Sequence, residues 1–301
     1  STVKSVRKAS KNKLKENGRK ILDKMLSYGT TTIEAKSGYG LTTRDEIKQL
    51  QAIKELSQEH EVDLVPTFLG AHEIPPEYKK NPDAYVNLVC TEMIPKVVSK
   101  NLAVFCDVFC ERGVFTTKQT RVILQTAQAF GLRAKLHADE LHNTGGAELA
   151  AEFGAASADH LVCVNDEGIH LMQKAGVVPV LLPGTTFYLG LDKDAPAGKM
   201  IDKGLPVALA TDCNPGSSMT ESMQMIMTLA CLKYGMSPAE VLTASTLNAA
   251  YAIGKESETG SLAPGKWADL VIWDAEDYRE IPYHFGGNMV DSVFKRGEKV
   301  R

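Results

Sequence analysis

No stretch of this 301-residue chain approaches the roughly 18 consecutive apolar residues that a membrane helix needs. The opening segment, STVKSVRKASKNKLKENGRK, is basic and polar and lacks the apolar core of a signal peptide. No basic cluster stands out elsewhere, and the net charge is −3, so nucleic acid is not expected as a partner. Cysteine is sparse and scattered, at positions 90, 106, 110, 163, 213 and 231. The closest pair, Cys106 and Cys110, lies in a strand-like run and matches no zinc-knuckle spacing. Buried free thiols in a reducing compartment are the expectation. The first strand-like run is not followed by G-x-G-x-x-G, the mark of a dinucleotide-binding sheet. These absences leave a cytoplasmic protein with neither membrane nor nucleic acid as partner.

What is present is alternation. Short β-branched runs alternate with longer amphipathic runs: TTTIEA (30–35) with RDEIKQLQAIKELSQEH (44–60), VDLVPTFLG (62–70) with a helical region from about 76 to 100, and LAVFCDVFC (102–110) with TTKQTRVILQTAQAFG (116–131). RAKLH (133–137) precedes TGGAELAAEFG (144–154), SADHLV (157–162) precedes NDEGIHLMQKAG (165–176), and VVPVLLP (177–183) leads through a poorly defined loop to a short helix near 197–203. PVALATD (206–212) is followed by helices over about 218–234 and 238–251. Such alternation predicts parallel βαβ units, in an open doubly wound sheet or a closed (β/α)8 barrel.

Polar residues decide between them. Tyr39, His72, Glu111, His137 with Glu140, His160 and Asp212 each stand at the C-terminal side of a different predicted strand. A site assembled from many strand ends is the habit of the barrel, whereas a doubly wound sheet gathers its site at one switch point. The count reaches seven strands, preceded by a helix over about 10–28. A closed barrel has eight, so the chain is expected to be truncated at its N-terminus, with the first strand lying before residue 1. Beyond about residue 256, TGSLAPGKWADLVIWDAEDY and VDSVFKRGEKV read as short strands between Gly/Pro turns. They are expected to pair with strands from elsewhere.

Within KLHADELHNTGG (135–146), Glu140 follows His137 in H-x-x-E. Imidazole and carboxylate at the strand ends carrying His137, His160 and Asp212 can converge on one divalent ion, and Glu140 is then placed for proton transfer. Asp212 stands in ATDCNPGSS, where Gly and Pro bend the chain and small residues expose backbone to a ligand. His60, His142 and His170 are expected to be solvated, and Asp139 and His142 to be rim or N-cap groups.

At these residues the chain resembles the amidohydrolase superfamily, and within it the imidazolonepropionase family. The superfamily marks are His137, His160, Asp212 and the tail GSLAPGKWADLVIWD. The narrower marks are KSGYGL (36–41), FLGAHEIPPEY (68–78), KLHADELHNTGG, SADHL (157–161), ATDCNPGSS (210–218) and STLNAAYAIG (245–254). The resemblance implies a metal-dependent (β/α)8 barrel over 1–255, lacking its first strand, with residues 256–301 the C-terminal part of a small β-sandwich domain. It implies hydrolytic opening of 4-imidazolone-5-propanoate to N-formimidoyl-L-glutamate, one zinc or iron ion, and a homodimer by analogy. It implies His137 and Asp212 as metal ligands, Glu140, His160 and Asp212 as catalytic residues, and Tyr39, His72, Glu140, Asn214, Gly216 and Ser217 as substrate contacts. The family's other two ligands form an H-x-H pair on the first strand, and this sequence contains no H-x-H. Two other readings use the same residues: a superfamily deaminase acting on a heteroaromatic ring, and a non-catalytic binding protein on a degenerate barrel.

Overall fold

The computed structural model describes residues 2–301. Its first helices are α1 (Thr2–Lys8) and α2 (Lys11–Ser27). Seven parallel strands follow in the order β1 (Thr32–Lys36), β2 (Asp63–Ala71), β3 (Phe105–Cys110), β4 (Arg133–Ala138), β5 (Ser157–His160), β6 (Val178–Leu181) and β7 (Ala208–Leu209), each paired with the next. Helices lie between them: α3 (Thr43–Glu59), α4 (Pro82–Leu88), α5 (Ile94–Ser99), α6 (Thr117–Ala129), α7 (Gly146–Glu152), α8 (Asp166–Ala175), α9 (Pro183–Tyr188) and α10 (Ala197–Asp202). After β7 come α11 (Met223–Tyr234), α12 (Pro238–Ser245) and α13 (Leu247–Ala252).

The helices start where the sequence supplies caps. Thr42, Thr116, Asn165 and Ser237 each accept a backbone N–H of the first turn, and Thr116 and Ser237 complete capping boxes with Gln119 and Glu240. The helices turn their apolar stripes onto the outer face of the strands, so that Leu50, Ile94, Ile123, Met172 and Ile226 join one buried cluster with Phe68, Val108 and Leu136.

Several elements differ from the expectations. The segment after β6 is ordered as α9, with Pro183 opening it. The helix expected over 238–251 is broken at Thr246, whose backbone (φ −125°, ψ −91°) lies outside the helical region. Strand β7 is only two residues long. Within the described residues the C-terminal strands β8 (Leu270–Trp273), β9 (Val290–Lys295) and β10 (Glu298–Lys299) pair with one another, antiparallel, with α14 (Glu280–Tyr283) between β8 and β9. Val290 and Val293 of this sheet bury the apolar face of α2 (Leu22, Leu26) together with Leu56 and Val62. Lys295 is buried between Asp63 and Asp269, and Arg296 donates to Asp63 at 2.7 Å, which fastens the small sheet to the start of β2. All six cysteines are free, but only Cys106 and Cys110 are buried. His60 is not solvated: its ring accepts from Val62 N at 3.0 Å and meets Asp23 at 3.2 Å, with 6% of the side chain exposed.

Candidate active site

Alternate residues of a strand share a face, and one face of this sheet carries charge where a core is expected. Glu34 and Lys36 of β1, Asp107 of β3, Lys135 and His137 of β4, and Ser157 and Asp159 of β5 stand in register on it. Lys36 Nζ contacts Asp107 Oδ2 at 2.6 Å and Asp159 Oδ2 at 2.5 Å. Lys135 Nζ contacts Glu34 Oε2 at 2.7 Å, and Thr67 donates to the other oxygen of Glu34 at 2.5 Å. Strands β1 and β5 are four positions apart, roughly 19 Å in a flat sheet at about 4.8 Å per strand. A lysine on one cannot touch an aspartate on the other unless the sheet is strongly curled. The ion pairs therefore record the barrel-like curvature directly, and they fill its interior.

His137 stands on top of this plug. Its Nδ1 meets Asp107 Oδ1 at 3.0 Å. Burial works against a charge on the ring, but Asp107 outweighs it and holds the His137 pKa above the ordinary value. Asp107 and Asp159 are held below the usual carboxylate range against the cost of burial, Asp107 by His137 first and then Lys36, Asp159 by Lys36 first and then Lys135.

The turn after β4 is laced in place by carboxylates. Asp139, at φ +50°, accepts from Thr144 N (2.7 Å), Gly146 N (3.2 Å) and Ala147 N (3.0 Å). It caps α7, as expected, but it is fully buried and not a rim group. Glu111, beyond β3, accepts from Leu141 N at 2.9 Å and from Arg112 N at 2.7 Å, and its Oε1 meets the His142 ring at 3.1 Å. Glu140 is thus held from both sides. Its Oε2 lies 3.5 Å from His160 Nε2, and both residues are buried. The β5 turn is joined to the same loop through Leu161 N to Ala138 O (3.0 Å) and Cys163 N to Asp139 O (2.7 Å).

Tyr39 and His72 form the opposite wall. Their rings meet edge to face with centroids 5.1 Å apart, and the His72 ring lies 6.1 Å from that of His137, which is 5.2 Å from that of His160. His72 Nδ1 is 3.1 Å from Gly38 O. A carbonyl only accepts, so Nδ1 carries the proton and Nε2 keeps its lone pair. Burial, helped by nearby His137, lowers the His72 pKa to about 4, so the ring is neutral at pH 7. Burial and the charge of Asp212 raise the Tyr39 phenol to about 12. Asp212, at φ +49°, accepts from Thr185 Oγ1 at 2.6 Å. Beyond it, Asn214 spends its side chain on its own turn: Oδ1 accepts from Gly216 N (2.8 Å) and Ser217 N (2.9 Å), while Nδ2 donates to Asp212 O (2.7 Å) and Ser217 Oγ (3.0 Å). Gly216 is left exposed.

Among the described residues, five of the seven non-glycine residues with left-handed backbone stand at or beyond the C-terminal ends of the parallel strands: Leu41, Asp139, His160, Leu161 and Asp212. Each such position costs about 1–3 kcal/mol and persists only where its surroundings enforce it. Four of the five stand beside or within the expected constellation.

Among the described residues, the ligand atoms of Asp107, His137 and Asp159 lie within 4.8 Å of one another, as a cation site requires. The Lys36 ammonium already bridges the two carboxylates there, so this trio does not fit a metal as it stands. His137 Nε2 does fit, because Asp107 engages Nδ1 in the manner of the outer partner of a metal-binding histidine. Asp212 has its Oδ2 engaged by Thr185. Glu34, Lys36, Asp107, Lys135 and Asp159 escaped the sequence reading. Their signal was charge at alternate positions inside otherwise strand-like runs. Thr185 escaped with the unrecognised α9.

The amidohydrolase family model matches residues 1–300. An imidazolonepropionase from Alkaliphilus metalliredigens (strain QYMF) is 54% identical over 300 residues, covering 100% of this chain and 71% of the relative. One from Geobacillus kaustophilus (strain HTA426) is 56% identical over 299 residues, covering 99% and 70%. In fold, the chain is similar to a zinc-bound adenosine deaminase from Xanthomonas campestris, with TM-score 0.74 at 18% identity, covering 98% of this chain and 72% of the other.

Proposed function

The chain belongs to the amidohydrolase family, and on that premise we propose that it opens the cyclic amide of 4-imidazolone-5-propanoate to give N-formimidoyl-L-glutamate, a step of histidine degradation. The structural observation that carries the reading is the convergence of His137, the Glu140–His160 pair and His72 at the C-terminal ends of different strands. The identity of over 50% to imidazolonepropionases supports the choice of substrate.

His137, through Nε2, and Asp212 would hold a zinc or iron ion. When bound, such an ion polarises a carbonyl and brings the pKa of water down to about 7. Asp212 accepts the proton of the attacking water. His160 donates to the carbonyl oxygen as negative charge grows on it; loss of one such donor typically costs roughly 10²–10³ in rate. Glu140, 3.5 Å from His160, carries the proton taken from the water on to the ring nitrogen as the carbon–nitrogen bond breaks. The neutral His72 offers Nε2 to a ring N–H. Tyr39, kept protonated at pH 7, donates to the propionate carboxylate. The exposed Gly216, in the turn held by Asn214 and Ser217, gives the substrate access to backbone. The reading extends to a cytoplasmic homodimer, with a barrel unit over 1–255 and part of a small β unit over 256–301.

The test is incubation of the metal-loaded chain with 4-imidazolone-5-propanoate, followed by mass spectrometry. Appearance of N-formimidoyl-L-glutamate is expected. Ammonia released from a purine or pyrimidine, with the imidazolone untouched, would assign the site to deamination.

A further inference from the structure

Glu46 is the fourth residue of α3, and nothing in its local sequence separates it from an ordinary acid in a first helical turn. In the structure it is completely buried. Its Oε1 accepts from Gly40 N and from Leu41 N, both at 2.8 Å. Burial raises its pKa, opposed by the Ser37 hydroxyl and by the amides of Leu41, Gly40 and Gly38. The KSGYGL turn is therefore wrapped around one buried carboxylate. The carbonyls of the same turn are held from outside by Arg7, which donates to Gly40 O at 2.7 Å and to Leu41 O at 3.3 Å.

The wrapping dictates the residues. A Cβ on Gly40 would stand 2.6 Å from the Asp45 carbonyl carbon and 2.7 Å from Glu46 N, so no side chain fits. Gly38 has φ +120°, a conformation that L side chains rarely adopt. Leu41 is forced to φ +54°. Tyr39 rides between these fixed points, with its ring against His72.

We propose that Glu46 is the positioning residue of Tyr39: a buried acceptor that folds the KSGYGL turn and so sets the phenol over the pocket for substrate binding. Glu46 itself touches no reacting atom. The inference rests on the reading of Tyr39 as a substrate contact.

The experiment is a double-mutant cycle on the metal-loaded chain with 4-imidazolone-5-propanoate. Tyr39→Phe removes a hydrogen bond to a charged group and is expected to raise KM about tenfold. Glu46→Ala is expected to raise KM by a similar factor with kcat within about threefold, and adding Tyr39→Phe to it should then cost less than about twofold more. Glu46→Gln, whose carbonyl oxygen can accept the same two N–H groups, should restore KM to within about threefold. If Glu46→Ala does not fold, Glu46→Asp replaces it in the cycle, because the shorter side chain withdraws the acceptor from Gly40 N and Leu41 N while keeping a carboxyl group at the site. Fully multiplicative effects of the two substitutions, or an unchanged KM in Glu46→Ala, overturn the proposal. Hydrogen exchange at the Gly40 and Leu41 amides is read without turnover. Slow exchange in the parent chain and Glu46→Gln, with fast exchange in Glu46→Ala, supports the anchor, and fast exchange in the parent chain overturns it. A parent chain that leaves the imidazolone intact overturns the substrate reading alone, and the exchange pattern still judges the turn.

Discussion

Replacing Lys36 with Met removes the ammonium that bridges Asp107 and Asp159, while keeping most of the side-chain volume. Both carboxylates are buried, and Lys36 contacts them at 2.6 and 2.5 Å. Breaking a buried ion pair from one side costs about 3–5 kcal/mol, because the remaining charge is left uncompensated. About 21% of the Lys36 side chain is exposed, which puts the expectation near the lower end, about 3 kcal/mol. The pH dependence carries more information than the size. In the parent chain Asp107 and Asp159 have depressed folded pKa values. Their contribution is therefore present above the unfolded value of about 3.9 and is lost only as pH falls through the lower folded values. In Lys36→Met, His137 still opposes burial at Asp107 and Lys135 at Asp159, but the cation shared by both carboxylates is gone, so the folded pKa values rise above the parent's. The penalty is then largest near pH 8 and shrinks as pH falls and a proton enters the pair, by up to about 1.4 kcal/mol per pH unit for each proton bound. Urea unfolding followed by circular dichroism at pH 8, 7, 6 and 5, with the slope m unchanged, measures the gap. A gap below about 1 kcal/mol at pH 8, or an equal gap at pH 5 and pH 8, would refute the account of a charge-balanced interior.

Two further outcomes follow from the site. Asp139→Ala strips the acceptor from three N–H groups and leaves Ala at a left-handed position, so it should lower stability by about 2–4 kcal/mol in urea unfolding, with Asp139→Asn much milder. Asp212→Ala should lose both bound metal, read by elemental analysis, and hydrolysis; near-normal activity would remove Asp212 from the site.

The alternation of strands and helices was legible because it is a matter of local period: two for β4, 3.6 for α3. His137, Glu140, His160 and Asp212 were legible because chemistry-bearing residues stood at strand ends in a repeated position. The charged interior was not. Lys36 lies 71 residues from Asp107 and 123 from Asp159, and Lys135 lies 101 from Glu34, so only the curled sheet brings them together. Glu46 was hidden for the opposite reason, since an acid in a first helical turn is unremarkable by itself. The break at Thr246 was missed because the apolar pattern runs through it.

The pairing of α2 with the small sheet has a consequence for how the chain is made. Arg301 donates to the carbonyl of Ser27, a partner 274 residues earlier, and Asn288 donates to the same oxygen. Val290 and Val293 supply the cover for Leu22 and Leu26. At a synthesis rate of about 5–20 residues per second, α2 therefore waits roughly 15–55 s for its final neighbours. During that interval its apolar stripe is open on a ribosome-bound chain whose later strands are still emerging. The stripe closes only when β9 has been made and its Val290 and Val293 come down on Leu22 and Leu26.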